Sequence, residues 1–359
     1  MNKKLLALIL CITMAFAMLL TSCGNSQSSS SDGNDSSKTE ETWKLAHTES
    51  KDGIYNMYAE KFAELVSKES DGRIKVEIHP VGELGDSAAQ LEMIQNGGLD
   101  IAIFASGDVG STFKQTQALS LNYLFSDSNK VNDAVLTKGK ATKRLSKAME
   151  KKNIKVYDWF SLGNMQWTSN KKITKLTDFK GFKMRIMDNP LISANYKAFG
   201  ATPTPVAFTE TYSALQTGTV DGTEQPLNAI EEMKFYEVQN YIIMSNHAQL
   251  ASFVAMNKEF YGNLSSKDKK ILDKIKPEME KYALTTLNSV LDRKYKKILE
   301  EKPDMKVVEL TDAQKASFRK ASMKVRKNIT KYAGNEGKTI MELAIKDVVK
   351  YEKKYGDDK

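Results

Sequence analysis

Short apolar segments alternate with amphipathic ones in the first part of the folded region. Trp43–Thr48 (WKLAHT) and Ile74–His79 (IKVEIH) have the residue alternation of strands, and Leu99–Phe104 (LDIAIF) is a short apolar run. Between them, Gly53–Ser67 and Ser87–Asn96 have helical spacing. Three strand-and-helix units in succession predict a doubly wound α/β domain with parallel strand pairing.

A second set of alternating segments follows and predicts a second α/β domain. Ile154–Phe160, Gly163–Ser169 and Gly181–Ile186 have the pattern of strands. Asn189–Phe199 and Thr209–Thr217 have the pattern of helices, and the threonine at the start of the second is its predicted N-cap.

The C-terminal part is rich in Lys and Glu and predicts long helices. The longest, Asp268–Glu301, is expected to be interrupted at Pro277, because proline removes a backbone donor and crowds the preceding turn. We expect this helix and crossing strands to join two domains around a cleft. Domain I is assigned to residues 43–162 and 251–290, and domain II, with the C-terminal helices, to residues 163–250 and 291–359.

The N-terminal residues have the pattern of an export signal. Lys3 and Lys4 precede the uncharged apolar run Leu5–Leu20, which is short for a membrane-spanning helix. The run ends in Leu-Thr-Ser-Cys, which resembles the lipobox of bacterial lipoproteins. That resemblance implies a signal peptide over residues 1–22, lipidation of Cys23 and attachment to the outer face of the cell membrane. The Ser-rich residues 23–42 would form a lipid-anchored tether.

Cysteine and histidine content restricts the chemistry of the folded region. The chain has two cysteines, Cys11 in the predicted signal and Cys23 at its end, so disulfides and thiolate sites are excluded beyond them. His47, His79 and His247 are too far apart in the sequence to have metal-ligand spacing. We therefore expect neither a metal nor a cofactor.

The formal net charge of +8 indicates a basic surface. The lysines are scattered along amphipathic helices, and no arginine-rich or aromatic-interleaved stripe is present. This distribution favours a solvated surface facing an anionic envelope and predicts no binding of nucleic acid.

The segment from Lys180 to Glu237 carries the most specific pattern. It contains Lys180-Gly181, an arginine at position 185, Gly200-Ala201, and YSALQTG followed by VDG from Tyr212 to Gly222. This pattern resembles the solute-binding proteins of tripartite ATP-independent periplasmic (TRAP) transporters. The resemblance implies a two-domain, type II periplasmic-binding-protein-like fold. It also implies a monomeric extracytoplasmic receptor that delivers small organic acids to the TRAP membrane subunits.

Arg185 is the main predicted ligand contact. A guanidinium presents a planar pair of N–H donors that matches both oxygens of a carboxylate. The resemblance implies that Arg185 pairs with a carboxylate in this way. A structural salt bridge is the alternative for this residue.

Other positions take their predicted roles from the resemblance. Phe208 lies at the position where the family has an aromatic or apolar side chain beside the ligand, and core packing is the alternative role. The side-chain amide of Gln225 would reach the ligand. Met165 stands where many members of the family carry a second arginine. Ser106 lies in the segment, at the end of the third strand, in which sialic-acid receptors of the family carry a glutamate. Sialic acid is therefore not expected as the solute.

Two further side chains are predicted at the pocket. Trp167 would supply aromatic surface, and His47, at the end of the first strand, would face the cleft, where ligands gather at the carboxyl ends of strands. A structural role is the alternative for this histidine. The pocket would suit a sugar acid, a keto acid or, paired with a lysine, a C4-dicarboxylate, which hinge closure would bury.

Two other functions compete with transport. A secreted α/β enzyme acting on a small carboxylate is one, but the sequence contains no GxSxG, HExxH or phosphate-binding glycine loop. A signalling receptor without a transporter is the other. We predict that the protein is not an enzyme.

Overall fold

The computed structural model describes residues 40–356. The predicted signal peptide, Cys23 and all but the end of the predicted tether lie outside this range. The described strands are β1 (Glu41–Ala46), β2 (Ile74–His79), β3 (Ile101–Ala105), β4 (Ile154–Asn164), β5 (Gln166–Ser169), β6 (Lys183–Ile186), β7 (Thr202–Pro205), β8 (Gly222–Gln225), β9 (Tyr241–Met244), β10 (Gln249–Asn257) and β11 (Lys306–Glu309).

Helices occupy most of the remaining described chain. The α-helices are α1 (Ile54–Glu69), α2 (Ser87–Gln95), α3 (Asn129–Lys138), α4 (Lys140–Met149), α5 (Pro190–Phe199), α6 (Thr211–Gln216), α7 (Leu227–Glu232), α8 (Phe235–Val238), α9 (Lys258–Asn263), α10 (Ser266–Glu301), α11 (Asp312–Lys327) and α12 (Ile329–Tyr355). Short 3₁₀ helices cover Lys114–Ser120, Glu150–Lys152, Leu176–Phe179 and Phe208–Glu210. None of the described helices is both long and apolar enough to cross a membrane.

The first sheet has the strand order β2-β1-β3-β10-β4. β1 pairs in parallel with both β2 and β3, which confirms the predicted parallel pairing of the first three strands. β10 is antiparallel to β3 and to β4, so the complete sheet is mixed. Helix α1 covers this sheet with the predicted face, since Tyr55, Tyr58, Phe62 and Leu65 are all buried.

The second sheet has the order β11-β9-β5-β8-β6-β7. β6 lies between β7 and β8 and is parallel to both, whereas β5 is antiparallel to β8 and β9. We call the first sheet with its packed helices the first lobe (β1–β4 and β10), and the second the second lobe (β5–β9 and β11).

The chain crosses between the lobes at two strand connections. β4 leads into β5 across Met165, and β9 leads into β10 across residues 245–248. Helix α10 packs against α1 and β4 of the first lobe and against α7 of the second. The two α/β lobes are therefore joined by crossing strands and a long helix. Helix α12 packs against α3 and α4, among elements assigned above to domain I, whereas the sequence analysis placed it in domain II.

Two local predictions were wrong. Helix α10 runs without interruption through Pro277, which is exposed, while Ile275 and Met279 on either side are buried. Core packing on both sides of the proline stabilises the continuous helix. Thr209 does not cap the following helix, because a 3₁₀ turn at Phe208–Glu210 precedes α6 and its N-cap, Glu210, makes no side-chain capping bond.

Candidate functional site

Arg185 lies in β6, next to the edge strand β7 of the second-lobe sheet. Its register neighbours are Thr204 on β7 and Thr223 on β8. The residue is 1% exposed, so its charged group is held inside the protein. Burial lowers the pKa of the guanidinium, and the negative charges of Asp108 and Glu224 oppose that change.

Two of the three guanidinium nitrogen atoms of Arg185 have hydrogen-bond partners among the described residues, and the third has none. The Nε and Nη2 atoms both donate to the carbonyl oxygen of Val206, at 2.9 and 2.7 Å. The Nη1 atom is buried and has no hydrogen-bond partner among residues 40–356. No ion pair formed by these residues includes Arg185. The Nη1–Nη2 edge is therefore oriented by the backbone and remains available to an anion.

A cavity of about 30 Å³ between the lobes borders this guanidinium. Its volume holds no more than about two water molecules, well below the roughly 300 to 1,000 Å³ of an ordinary ligand pocket. The lobes are therefore close together in this structure. The first lobe contributes Thr48, Glu49, Tyr55, Ala105, Asp108, Leu162 and Leu250 to the lining, and the second lobe contributes Arg185, Met187, Phe208, Gln225 and Ala229.

A larger cavity of about 260 Å³ adjoins the first. The two share Thr48, Asp108 and Phe208 in their linings. The remaining residues of the larger cavity are Asp86, Ser87 and Ala88 from the start of α2, and Asp188, Pro205, Val206, Ala207 and Thr209 from the second lobe. Six of the eleven residues that line this larger cavity are polar or acidic, and the other five are apolar.

Phe208 and Gln225, both predicted ligand contacts, line the cavity beside Arg185. Phe208 also packs edge-on against Phe235, with ring centroids 6.2 Å apart, so it serves the core as well as the cavity wall. Gln225 ends β8 and is 4% exposed. Its side-chain amide has no hydrogen bond to another described residue, which leaves it able to donate and accept at the cavity.

Met165 and Ser106 lie together at a third, smaller cavity. Both are buried and line a space of about 10 Å³, together with Met187 and Leu250, which also border the cavity beside Arg185. The two predicted positions are thus adjacent to the guanidinium site but separated from it by these two apolar side chains.

The structure places His47 and Trp167 in packed surroundings, outside the linings of these three cavities. His47 follows β1 and is fully buried, with its Nε2 atom 3.3 Å from Oδ1 of Asn56. Burial lowers the pKa of this histidine to about 4. Trp167 is also fully buried, donates from Nε1 to the Tyr196 hydroxyl at 2.9 Å, and packs against Phe179.

Two acidic residues at the cavity were missed by the sequence analysis. Asp108 follows β3 and Glu49 follows β1, so both stand just beyond the carboxyl ends of parallel strands, where the rule used for His47 would have found them. Burial raises the pKa of both carboxyl groups. The charge of Arg185 partly offsets this for Asp108, whereas Glu232 raises the pKa of Glu49 further.

A buried polar network lies behind Arg185. Glu224, next to Gln225 in β8, accepts from the Tyr196 hydroxyl at 2.5 Å and pairs with Nε2 of His247 at 2.7 Å. Nδ1 of His247 is 2.8 Å from the Ser245 hydroxyl. His247 is therefore held inside this buried network.

Comparison with known proteins identifies the family. The sequence profile of DctP, the bacterial extracellular solute-binding protein family 7, matches residues 45–332. The chain belongs to this family. Family 7 comprises TRAP solute-binding proteins, so the resemblance seen in the sequence is confirmed.

Named relatives of this family 7 protein are periplasmic binding proteins. The ectoine/5-hydroxyectoine-binding periplasmic protein UehA of Ruegeria pomeroyi is 31% identical over 303 residues, which are 84% of this chain and 89% of UehA. The C4-dicarboxylate-binding periplasmic protein DctP of Rhodobacter capsulatus is 31% identical over 297 residues, or 82% of this chain and 87% of that protein.

A solved structure confirms the fold. The periplasmic ectoine-binding protein of the TeaABC TRAP transporter of Halomonas elongata superposes with a TM-score of 0.83 at 27% identity, over 86% of this chain and all of that one. This family 7 protein therefore has the two-domain type II fold of TRAP solute-binding proteins. The relatives UehA and DctP are solute-binding proteins.

Proposed function

We propose that this family 7 protein captures a small organic acid between its lobes, pairs the acid's carboxylate with Arg185, and delivers it to the membrane subunits of a TRAP transporter. The free Nη1 of Arg185 is the observation that carries the proposal. A buried N–H group without a partner is costly, and a carboxylate would satisfy it. The fixed bonds to Val206 hold the guanidinium in place before the solute arrives.

The two lobes would open and close around the solute by a hinge motion. A cavity of about 30 Å³ cannot admit an organic acid, so the solute enters when the lobes separate and is buried when they close. The connections at Met165 and residues 245–248 are short, which suits a hinge. Closure converts occupancy into a shape that the transporter can recognise.

Cys23 would hold the receptor at the extracytoplasmic face of the cell membrane. The support is the lipobox-like Leu-Thr-Ser-Cys after the apolar run. The Ser-rich residues up to 42 would then give the folded part reach to the membrane subunits.

A thermal-shift screen tests the capture of a carboxylate. The purified protein is heated with organic acids, sugar acids and keto acids, and each acid that raises the melting temperature is compared with its primary amide. A ligand that binds the folded state alone raises the melting temperature, and we expect the acid to do so and the amide to fail. A shift from a neutral sugar or a peptide, with none from any carboxylate, contradicts the proposal.

A further inference from the structure

The ionisable groups that line the three cavities are predominantly acidic. Among residues 40–356, Arg185 is the one cationic side chain in these linings, and no lysine or histidine lines any of the three. The acidic residues are Glu49, Asp86, Asp108, Asp188 and Glu224. A solute in this space therefore meets one fixed positive charge and several carboxyl groups.

Asp108 and Glu49 share a cavity with Arg185 yet form no ion pair with it. Asp108 accepts a hydrogen bond from the Ser87 hydroxyl at 3.3 Å through Oδ2, and its Oδ1 has no hydrogen bond to a described residue. Glu49 accepts from the backbone amide of Tyr55 at 2.6 Å. Both carboxyl groups come from the first lobe, whereas Arg185 comes from the second, so closure brings acidic groups and a guanidinium to one solute from opposite sides.

Glu224 differs from these two carboxyl groups. Its Oε2 atom is already held by Tyr196 and His247, so it contributes a fixed negative charge behind the site. The groups with capacity for new partners at the cavity are Asp108 and Oε1 of Glu49 on one lobe, and Nη1 of Arg185 and the amide of Gln225 on the other.

We infer that the solute is a zwitterion, with its carboxylate on Arg185 and an ammonium, amidinium or similar cationic N–H group on Asp108 and Glu49. This inference rests on the proposed capture of a carboxylate. A cation at Asp108 and Glu49 gains from both acids. The second carboxylate of a C4-dicarboxylate would be repelled by them, and no lysine lines the cavities to pair with it.

Calorimetric titration with matched probes tests the charge preference. The zwitterions 4-aminobutyrate and ectoine are compared with butyrate and succinate. We expect the better zwitterion to bind at least tenfold more tightly than either anion. Succinate or butyrate binding as tightly as the zwitterions overturns the inference and leaves the proposed function standing. Failure of every carboxylate here and in the screen overturns both.

Variants assign the preference to the acidic residues. Asp108→Asn should weaken zwitterion binding at least tenfold and change butyrate binding less than threefold. Asp292→Asn, at a side chain 78% exposed on α10, is the matched control and should change neither. Glu49→Gln provides a second test if Asp108→Asn lowers the melting temperature of the free protein. An unchanged zwitterion preference in both variants contradicts the inference.

Discussion

The backbone amide of Ser50, in the loop after β1, donates a 2.5 Å hydrogen bond to the carboxylate of Glu232 at the end of α7. This bond joins the first lobe to the second. A Cβ added to Gly53 would lie 2.6 Å from Oε2 of Glu49 and 2.8 Å from Oε2 of Glu232, so both carboxyl groups border the same glycine. Two acids from different lobes thus meet at the edge of the cavity.

The stability of the protein should fall as the pH rises through about 7. Burial raises the pKa of Glu232 to about 7, and burial and the charge of Glu232 raise that of Glu49. Lys294 lowers both pKa values, and Glu231 raises that of Glu232. The folded protein therefore binds these protons more tightly than the unfolded chain does. The stabilisation that protonated Glu232 and Glu49 provide is complete at a pH below their pKa values in the unfolded chain. It is lost as the pH rises through their pKa values in the folded protein.

Melting temperatures measured between pH 5 and pH 8.5 test this expectation. Glu232→Gln should flatten the decline, because an amide cannot lose the proton. The control is Glu64→Gln, at a side chain 61% exposed on α1, which should keep the wild-type pH profile. A Glu232→Gln profile as steep as that of wild type would show that this pair does not control the pH dependence.

Gln225→Met should weaken solute binding without destabilising the free protein. The side-chain amide of Gln225 has no hydrogen bond to another described residue. Replacing it with a methionine side chain of similar size therefore removes a buried polar group without breaking a hydrogen bond within the protein. Losing one hydrogen bond to the solute costs about 0.5 to 1.5 kcal/mol, or roughly two- to tenfold in affinity. Calorimetry and thermal melts check both effects. Gln216→Met, at an exposed site on α6, is the control, and unchanged affinity in Gln225→Met excludes a ligand contact.

Tyr196→Phe should destabilise the second lobe by about 1 to 3 kcal/mol. The Tyr196 hydroxyl joins Trp167 to the buried Glu224 carboxylate. Its loss leaves Nε1 of Trp167 without a partner and removes one of the two side chains that hold Oε2 of Glu224, the other being His247. Urea unfolding measures the change. Tyr282→Phe removes a hydroxyl that has no hydrogen bond within residues 40–356 and should cost less than about 0.5 kcal/mol. Equal losses in the two variants would mean that the network is not stabilising.

Cys23→Ser should release the protein from the membrane. The prediction rests on the lipobox-like sequence, since the residue lies outside the described part of the structure. Cell fractionation followed by mass spectrometry of the N-terminal peptide gives the result. The wild-type protein should sediment with membranes and carry the mass of a lipid on Cys23. An unmodified Cys23 on a soluble protein would contradict the prediction.

Local sequence patterns predicted the elements better than their long-range partners. The first three strands and α1 were predicted because alternation and helical spacing depend on neighbouring residues. The antiparallel placement of β10 between β3 and β4 joins distant segments and left no local signal. The interruption predicted at Pro277 is absent from α10 because burial of Ile275 and Met279 outweighs the local preference of proline.

Site residues that belong to a sequence motif could be predicted. Residues whose position at the cavity or in the core depends on the fold could not. Arg185 came from its motif, and the structure leaves its Nη1 free at a cavity. All four residues of β5 are buried, so the sequence could not tell whether Trp167 faces the cleft or the core. Asp108 and Glu49 belong to no motif, and only the rule that ligands gather at the carboxyl ends of parallel strands points to them.

The most direct test of this account is the affinity of the identified carboxylate for the Arg185→Gln variant. Arg144→Gln is the matched control, since Arg144 is 48% exposed and pairs with Glu336 away from the cavity beside Arg185. Calorimetry should show that Arg185→Gln costs about 2 to 5 kcal/mol of binding free energy, while Arg144→Gln binds like wild type. Wild-type affinity in the Arg185→Gln variant would contradict the central claim.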